Sequence, residues 1–218
     1  MRLPIINRLR KREYKEIAEF QDSAVDLLYD SYPTAILHGG TVVWRCFSGS
    51  RFSYDIDGYL PEGSRKSLSS AFGNAARDYD IKVDKIKDTG NLMFVGLSLG
   101  DIYLKIELNH ATKRLAPVVT RFERTDGTFR DVLSLNANDL IFEKIVAYKN
   151  RMFIRDMYDI YVLSDHATKS TAMAKAIADL MKKLQQPVNE GGDLATLIYD
   201  GPIPSFSNMV EHIKGRLI

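Results

Sequence analysis

The sequence predicts an α+β protein, in which a sheet with helices over residues 1–130 is followed by a helical bundle over residues 131–218. Three apolar segments, at residues 81–87, 92–99 and 102–108, have the length and alternation of strands. In the second part, the apolar residues recur at helical spacing instead. We expect the functional site in the cleft between the two parts.

Periodicity and turn residues predict the elements of the first part in order. Residues 8–29 begin with charged residues and continue with apolar residues at helical spacing, which indicates an amphipathic helix. Ahead of the three strands we predict a strand at 35–38, a helix at 41–47, a strand at 54–60 and a helix at 64–78. Gly100 and Asp101 form a two-residue connection, which is typical of a tight hairpin.

The second part follows a turn at Asp126-Gly127 and is helical in pattern. The predicted helices span residues 139–150, 153–163, 171–185 and 207–217, with breaks at 187–192 and 201–204. This change of pattern supports two parts of different architecture.

Composition is that of an ordinary globular protein, with 45% hydrophobic and 27% charged residues among 218. A net charge of +2 is too small to indicate a nucleic-acid binder by itself. The single cysteine, Cys46, excludes an intramolecular disulfide and fits a reducing compartment. No apolar stretch has the length of a membrane span or of a signal-peptide core, so we expect a cytoplasmic protein that does not enter a membrane.

Two carboxylates one residue apart give the strongest chemical signal. Asp55 and Asp57 would project from the same face of a strand, while Ile56 between them points into the core. Adjacent carboxylates repel each other unless a cation lies between them, and a hard ion such as Mg²⁺ prefers oxygen ligands. The alternative interpretation is an ordinary solvated turn or strand edge.

A glycine pair precedes the carboxylates. Gly39 and Gly40 would let the backbone approach phosphate oxygens closely, and a helix that begins near Thr41 would add positive partial charge. A glycine pair alone usually marks only a turn. Together with the two carboxylates, it predicts a phosphate cradle beside a metal site.

These residues resemble a known family. The segment from Gly39-Gly40 to Arg51-Phe-Ser53-Tyr-Asp55-Ile-Asp57 is similar to the first motif of the polymerase-beta-like nucleotidyltransferase superfamily. The long gap between glycines and carboxylates, which ends in Arg-Phe-Ser, resembles the AbiEii/AbiGii-type (MenT-like) toxin branch. Three further segments resemble the second, third and fourth motifs: Lys105-Ile-Glu107, Glu143-Lys144 and Arg155-Asp156-Met-Tyr-Asp159. The resemblance implies a polymerase-beta-like mixed sheet in the first part.

The resemblance also implies a reaction, the transfer of a nucleoside monophosphate from a nucleoside triphosphate to an acceptor. Its metal, Mg²⁺ or Mn²⁺, would be held by Asp55, Asp57 and Glu107. Glu107 could instead act as the general base for the incoming hydroxyl. It could also simply form a surface salt bridge with Lys105, which strand alternation places on the same face.

The second part would complete the catalytic set with Lys144 and Asp159. Lys144 would contact the triphosphate, although a solvated lysine is an equal alternative on the sequence alone. Asp156 and Asp159 lie three residues apart on one helix face, where either could orient Lys144 or Arg151 or simply pair within the bundle. The expected nucleotide-binding residues are Gly39, Gly40, Thr41, Arg51, Ser53, Lys105, Arg151 and Asp156.

The resembled toxins belong to type IV toxin-antitoxin systems, and some add nucleotides to the 3′ end of tRNA. The resemblance therefore implies an RNA acceptor, such as tRNA, and a cognate antitoxin as partner. A basic surface should then guide the RNA. The candidate basic runs are Arg8 to Lys15, Lys82 with Lys85 and Lys87, and Lys182-Lys183. The alternatives are a transferase for a small molecule or protein side chain, and a non-catalytic module that binds nucleotides.

Overall fold

The computed structural model describes residues 3–61, 68–110, 115–188 and 192–218. The first residues of the predicted helix at 64–78 and part of the predicted break at 187–192 lie outside these ranges. None of the described helices is both long enough and apolar enough to cross a membrane.

The described residues form nine helices and seven strands. The helices are α1 (Ile5–Arg8), α2 (Arg12–Ser31), α3 (Gly39–Cys46), α4 (Leu68–Asp78), α5 (Ala137–Arg151), α6 (Ile154–Ser164), α7 (Thr171–Lys182), α8 (Gly192–Leu197) and α9 (Phe206–Leu217). The strands are β1 (Ile36–His38), β2 (Ile56–Leu60), β3 (Lys82–Asp88), β4 (Leu92–Leu99), β5 (Ile102–His110), β6 (Val118–Glu123) and β7 (Phe129–Ser134).

The seven strands form one sheet in the order β3-β4-β5-β2-β1-β7-β6. Strand β2 pairs parallel with β5, and β1 pairs parallel with β7, while the remaining pairs are antiparallel. The α+β class with a mixed sheet is therefore confirmed. The hairpin at Gly100-Asp101 is also confirmed, because Leu99 and Ile102 form the last residue pair of β4 and β5.

The chain divides into two compact units. The first consists of Met1–Cys46 and Ser53–Leu135, and it contains the whole sheet with α1 to α4. The second consists of Phe47–Phe52 and Asn136–Ile218, and it contains helices α5 to α9. The short segment 47–52 thus belongs to the helical unit, although its neighbours in sequence belong to the other.

Alternation along β5 separates a buried face of the sheet from a half-exposed one. Leu104, Ile106 and Leu108 are buried, whereas Lys105 and Glu107 between them are half-buried. Burying these apolar side chains stabilises the unit by about 2 kcal/mol each. The predicted placement of Lys105 and Glu107 on one face is therefore confirmed.

Two strands were not predicted, and one predicted strand begins later than expected. Strands β6 and β7 are mostly exposed, with Phe122 and Val132 among their few buried apolar residues, so their sequences lack a clear apolar alternation. Strand β2 begins at Ile56 rather than at residue 54, so Asp55 lies in the bend before the strand and not on it. Helices α1 and α8 have only four and six residues, which is too short for a periodic pattern.

Helix ends in the second unit follow local capping chemistry. The Asn136 side chain accepts a hydrogen bond from the Asp139 backbone N–H at 3.0 Å and caps the start of α5. Met152, with φ of 53°, adopts the left-handed conformation that ends this helix. Helix α6 then begins after Phe153, so a two-residue connection joins the two helices that carry Lys144 and Asp159.

Candidate active site

Strand register brings the predicted carboxylates of the first unit together. Asp57 on β2 is paired directly with Glu107 on β5, and on its other side with His38 on β1. Directly paired residues project their side chains from the same face of a sheet. The carboxylates of Asp57 and Glu107 therefore lie side by side on the half-exposed face.

A lysine amine lies between two of these acids. Lys105 Nζ is 3.3 Å from Asp55 Oδ2 and 3.4 Å from Glu107 Oε1. Partial burial lowers the pKa of Lys105, but attraction by Asp55 and Glu107 outweighs it and leaves that pKa above its ordinary value. The alternative foreseen for Glu107, a salt bridge with Lys105, is present, and Asp55 shares it.

The position of the Asp57 side chain requires a glycine at residue 39. Its φ is +76°, and a Cβ placed on it would lie 2.3 Å from Asp57 Oδ2. In this structure the Asp57 carboxylate fills the space beside Gly39, and the predicted approach of the glycine pair to phosphate oxygens stays a prediction. Gly40 is buried in the first turn of α3, which begins at Gly39.

We expect Gly39→Ala to reduce both stability and nucleotide transfer. The left-handed backbone should cost about 1–3 kcal/mol, and the added methyl group would displace the Asp57 carboxylate. Gly90→Ala is the matched control, because Gly90 has a φ of +84° but nothing within 4 Å of an added Cβ. Thermal unfolding should show a loss for both proteins, whereas initial rates of transfer should fall for Gly39→Ala alone. Equal activity of the two variants would contradict the close approach.

Thr41 and Gln21 hold the backbone around the carboxylates. The buried Thr41 hydroxyl donates to the backbone carbonyl of Asp55 at 2.5 Å. The backbone carbonyl of the buried Ser53 accepts a hydrogen bond from Gln21 Nε2 at 2.8 Å. The Thr41 hydroxyl therefore positions the Asp55 backbone in this structure, and its predicted contact with phosphate stays a prediction.

The carboxylates of the first unit have the donor chemistry of a site for a hard cation. In the part of the chain that the structure describes, no group of three or more His, Cys, Asp or Glu side chains is arranged to hold a metal ion. Asp57 lies beside Glu107, and the Lys105 amine lies between Glu107 and Asp55. Mg²⁺ and Mn²⁺ prefer oxygen ligands such as carboxylates. The Lys105 amine shows that Asp55 and Glu107 already bind one positive charge at this position. The donor chemistry of these three side chains therefore fits such an ion, whereas their present arrangement around Lys105 is that of a salt bridge.

A buried charge cluster forms the second set of predicted site residues, all within the second unit. Asp159 accepts two hydrogen bonds from the Arg51 guanidinium, both at 2.9 Å, and its Oδ2 lies 2.7 Å from Lys144 Nζ. Asp156 accepts two from Arg151, at 2.7 and 2.6 Å, and lies 3.9 Å from Lys144 Nζ. Lys144 therefore links the two acids.

Exposure differs among the cations of this cluster. The Lys144 side chain is only 10% exposed, whereas that of Arg151 is 42% exposed. Both carboxylates are buried, and three cations lie against them: Arg51, Lys144 and Arg151. Such an arrangement can attract an anionic ligand such as a triphosphate.

Comparison with known proteins identifies the family. Residues 26–212 match the family described as nucleotidyl transferase AbiEii toxin, type IV TA system. The chain belongs to the AbiEii family. It is therefore a nucleotidyltransferase toxin of a type IV toxin-antitoxin system, as the four motifs suggested. A search among curated proteins gives no match.

Solved structures share the fold of this AbiEii protein. JHP933 from Helicobacter pylori superimposes with a TM-score of 0.64 at 17% identity, covering 94% of this chain and 90% of that chain. MenT4, a nucleotidyltransferase toxin from Mycobacterium tuberculosis H37Rv, gives a TM-score of 0.57 at 14% identity, with 94% and 82% covered. At such identities, the likeness extends to the fold alone.

Arg51 of the AbiEii protein has structural partners within the second unit, and its predicted contact with the triphosphate stays a prediction. Two of its nitrogens donate to Asp159, and Nη1 donates to the Phe52 carbonyl at 3.2 Å. Backbone hydrogen bonds also hold its segment, from Phe52 N–H to the Leu197 carbonyl at 2.9 Å and from Tyr199 N–H to the Ser50 carbonyl at 3.1 Å. Arg51 therefore anchors residues 47–52 within the second unit.

The stability of the AbiEii protein should fall in acid because of Asp159. Burial raises the pKa of Asp159, but Arg51 and Lys144 outweigh burial and leave that pKa below its ordinary value. Ionised Asp159 thus stabilises the fold above an unfolded pKa of about 4, and this contribution is lost as pH falls toward the lower folded pKa. Urea unfolding from pH 7 to 3 should show this loss, which Asp159→Asn should reduce. An equal acid loss in the variant would contradict this assignment.

His38 is a neighbour of the carboxylates that we did not predict as a site residue. It ends β1 directly before Gly39, and its ring stacks on Tyr59 with centroids 4.2 Å apart and an interplanar angle of 17°. Its register with Asp57 places it beside the carboxylates. A histidine directly before the glycine pair was the available signal in the sequence.

Proposed function

We propose that the protein transfers a nucleoside monophosphate from a nucleoside triphosphate to RNA, such as the 3′ end of tRNA, and that it requires Mg²⁺ or Mn²⁺. Family membership supplies the reaction class. The observation that carries the metal requirement is the direct pairing of Asp57 with Glu107, next to Asp55 and the backbone of Gly39. Lys105 forms ion pairs with Asp55 and Glu107, whereas a divalent ion would neutralise all three neighbouring carboxylates.

The first unit would hold the metal and the attacking hydroxyl. Asp55, Asp57 and Glu107 are the proposed ligands, and a bound divalent ion would supply positive charge to the phosphate oxygens. Glu107 either completes this ligand set or accepts the proton of the incoming hydroxyl. Lys105 balances two of the acids in their present arrangement, and we propose that it contacts the triphosphate once a metal neutralises them.

The second unit would contribute positive charge for the triphosphate. We propose Arg151 and Lys144 as the contacts, because Arg151 is the more exposed cation and Lys144 is held between two acids. Asp156 and Asp159 would act as positioning residues for them. In functional terms we propose a catalytic part over residues 1–130 and a helical part over 131–218.

Two further proposals concern the setting of the reaction. Family membership implies a cognate antitoxin, and we propose a protein antitoxin as its partner. We also propose that the toxin acts in the cytoplasm, where nucleoside triphosphates and tRNA are available. Neither proposal alters the assignment of residues.

The decisive experiment incubates the protein with total tRNA and each of the four labelled triphosphates separately. Label should enter tRNA with Mg²⁺, disappear when the metal is chelated, and return when Mg²⁺ or Mn²⁺ is added in excess. Periodate-oxidised tRNA, which lacks a 3′ hydroxyl, is the matched control and should remain unlabelled. Absence of label with every triphosphate would contradict an RNA acceptor, and transfer that persists in chelator would contradict the metal.

A further inference from the structure

The carboxylate face of the sheet continues across two more strands, β4 and β3, with aromatic and cationic side chains. Glu107 on β5 is paired with Phe94 on β4, and Phe94 is paired with Lys87 on β3. Paired residues share a face, so the row runs from Asp57 through Glu107 and Phe94 to Lys87. The carboxylate site and this part of the sheet therefore form one continuous surface within the first unit.

A second aromatic ring lies on the same face as Phe94. A Cβ on Gly96 would lie 2.6 Å from the Tyr103 hydroxyl oxygen and 3.1 Å from its Cε2, so the Tyr103 ring lies across Gly96. Phe94 and Gly96 are two residues apart on β4, which places the two rings on the same face. The Tyr103 side chain is nevertheless 54% exposed. A ring in this position offers a flat surface to a ligand.

Lysines border the two rings. The Lys85 amine lies 5.9 Å from the centre of the Phe94 ring, and both Lys85 and Lys87 are exposed. Lys82, farther along β3, is paired with Asp84 at 2.7 Å, and Asp84 also accepts a hydrogen bond from Ser98. Lys105 shares this face but is paired with Asp55 and Glu107, so Lys85 and Lys87 are the lysines that this surface offers to a ligand.

We propose that this aromatic face, made of Phe94, Tyr103, Lys85 and Lys87, binds the single-stranded 3′ end of the acceptor RNA. Aromatic rings stack on any nucleobase, and lysines neutralise backbone phosphates. The two rings lie on β4 and β5, and the two lysines lie on β3. Two rings match a chain of nucleotides, because a mononucleotide has only one base. An RNA strand on this face leads along the row to the carboxylates of Glu107 and Asp57. The inference rests on the proposed function and specifies where the RNA acceptor binds.

Binding of a short RNA in the absence of triphosphate tests the face directly. Fluorescence anisotropy with a labelled single-stranded oligoribonucleotide should give about 10-fold weaker binding for Tyr103→Ala. Phe129→Ala is the matched control, since this β7 aromatic side chain is 49% exposed and has Arg121 stacked on it at 4.0 Å. The control should bind RNA as the parent protein does, and both variants should unfold at the parent temperature because they remove exposed side chains.

Salt dependence supplies a second readout that a loss of packing would not produce. The double variant Lys85→Gln, Lys87→Gln should reduce the slope of log K against log salt concentration by about 1.4, which is about 0.7 for each phosphate contact to a single strand. Unchanged slope together with unchanged affinity of Tyr103→Ala would overturn the proposal. Binding of a fluorescent triphosphate is measured in parallel. If Tyr103→Ala weakens binding of the triphosphate but not of the RNA, the face holds the nucleotide and the proposal is refuted.

The outcomes separate this inference from the proposed function. If the parent protein labels tRNA and Tyr103→Ala has an unchanged KM for tRNA, the RNA-binding face is refuted while the transfer reaction stands. If the parent protein labels no RNA but Tyr103→Ala still loses oligonucleotide binding, the face stands and transfer to RNA is refuted.

Discussion

The Asp57→Asn protein should transfer nucleotides about 10³-fold more slowly than the parent, with little change in stability. The proposed metal contributes several kcal/mol of charge stabilisation in the transition state, and this corresponds to about a thousandfold in rate. Asparagine keeps the shape that fits against Gly39 but removes the negative charge. Initial rates with labelled triphosphate and tRNA, at saturating Mg²⁺, provide the measurement.

The matched control for this variant is Asp101→Asn, which removes an exposed carboxylate from the β4–β5 turn. It should retain full activity. If Asp57→Asn kept activity within a few-fold of the parent, the metal assignment would be wrong. Raising Mg²⁺ above the concentration that saturates the parent should rescue the variant only partly, because Asp55 and Glu107 would remain as ligands while Asp57 is lost.

The second large effect concerns stability. Asp159→Asn should lower the free energy of unfolding of the second unit by about 3–5 kcal/mol, as expected when one partner of a buried ion pair is removed. The substitution leaves the Arg51 guanidinium and the Lys144 amine buried beside a neutral amide. Denaturant unfolding followed by circular dichroism, at pH 7 and constant salt, measures the change in midpoint.

Asp179→Asn is the matched control on α7, because Asp179 pairs with Lys182 at 3.5 Å on the exposed side of its helix. Exposed pairs of this kind contribute about 1 kcal/mol at most. A loss for Asp159→Asn no larger than that of this control would refute the structural role of the buried cluster. The double variant Asp159→Asn, Arg51→Met should recover part of the stability, since it removes one of the uncompensated charges.

The sequence allowed much of the carboxylate site to be predicted, because its signals are local. A spacing of two residues on a strand determines which side chains share a face, and this placed Lys105 with Glu107 correctly. The register between β2 and β5 could not be predicted from spacing within one strand. These strands are separated along the chain by β3 and β4, and only their parallel pairing shows that Asp57 lies beside Glu107.

The partners of buried polar groups were harder to predict. Arg51 and Thr41 were expected at phosphates because each lies near a motif in the sequence. In the fold, each meets a partner specified by packing: Arg51 meets Asp159, and Thr41 meets the Asp55 carbonyl. A buried donor must find an acceptor, and sequence distance does not reveal which acceptor is nearest.

The path of the chain through its two units bears on any attempt to produce them separately. Segment 47–52 lies between two parts of the sheet unit, yet its backbone and the Arg51 side chain bind residues 159, 197 and 199. A fragment that stops at residue 135 would leave this segment without those partners, only a few residues ahead of Asp55. One truncation point therefore cannot yield an intact half of the toxin, and fragments used for biochemistry or crystallisation should be coexpressed with residues 136–218.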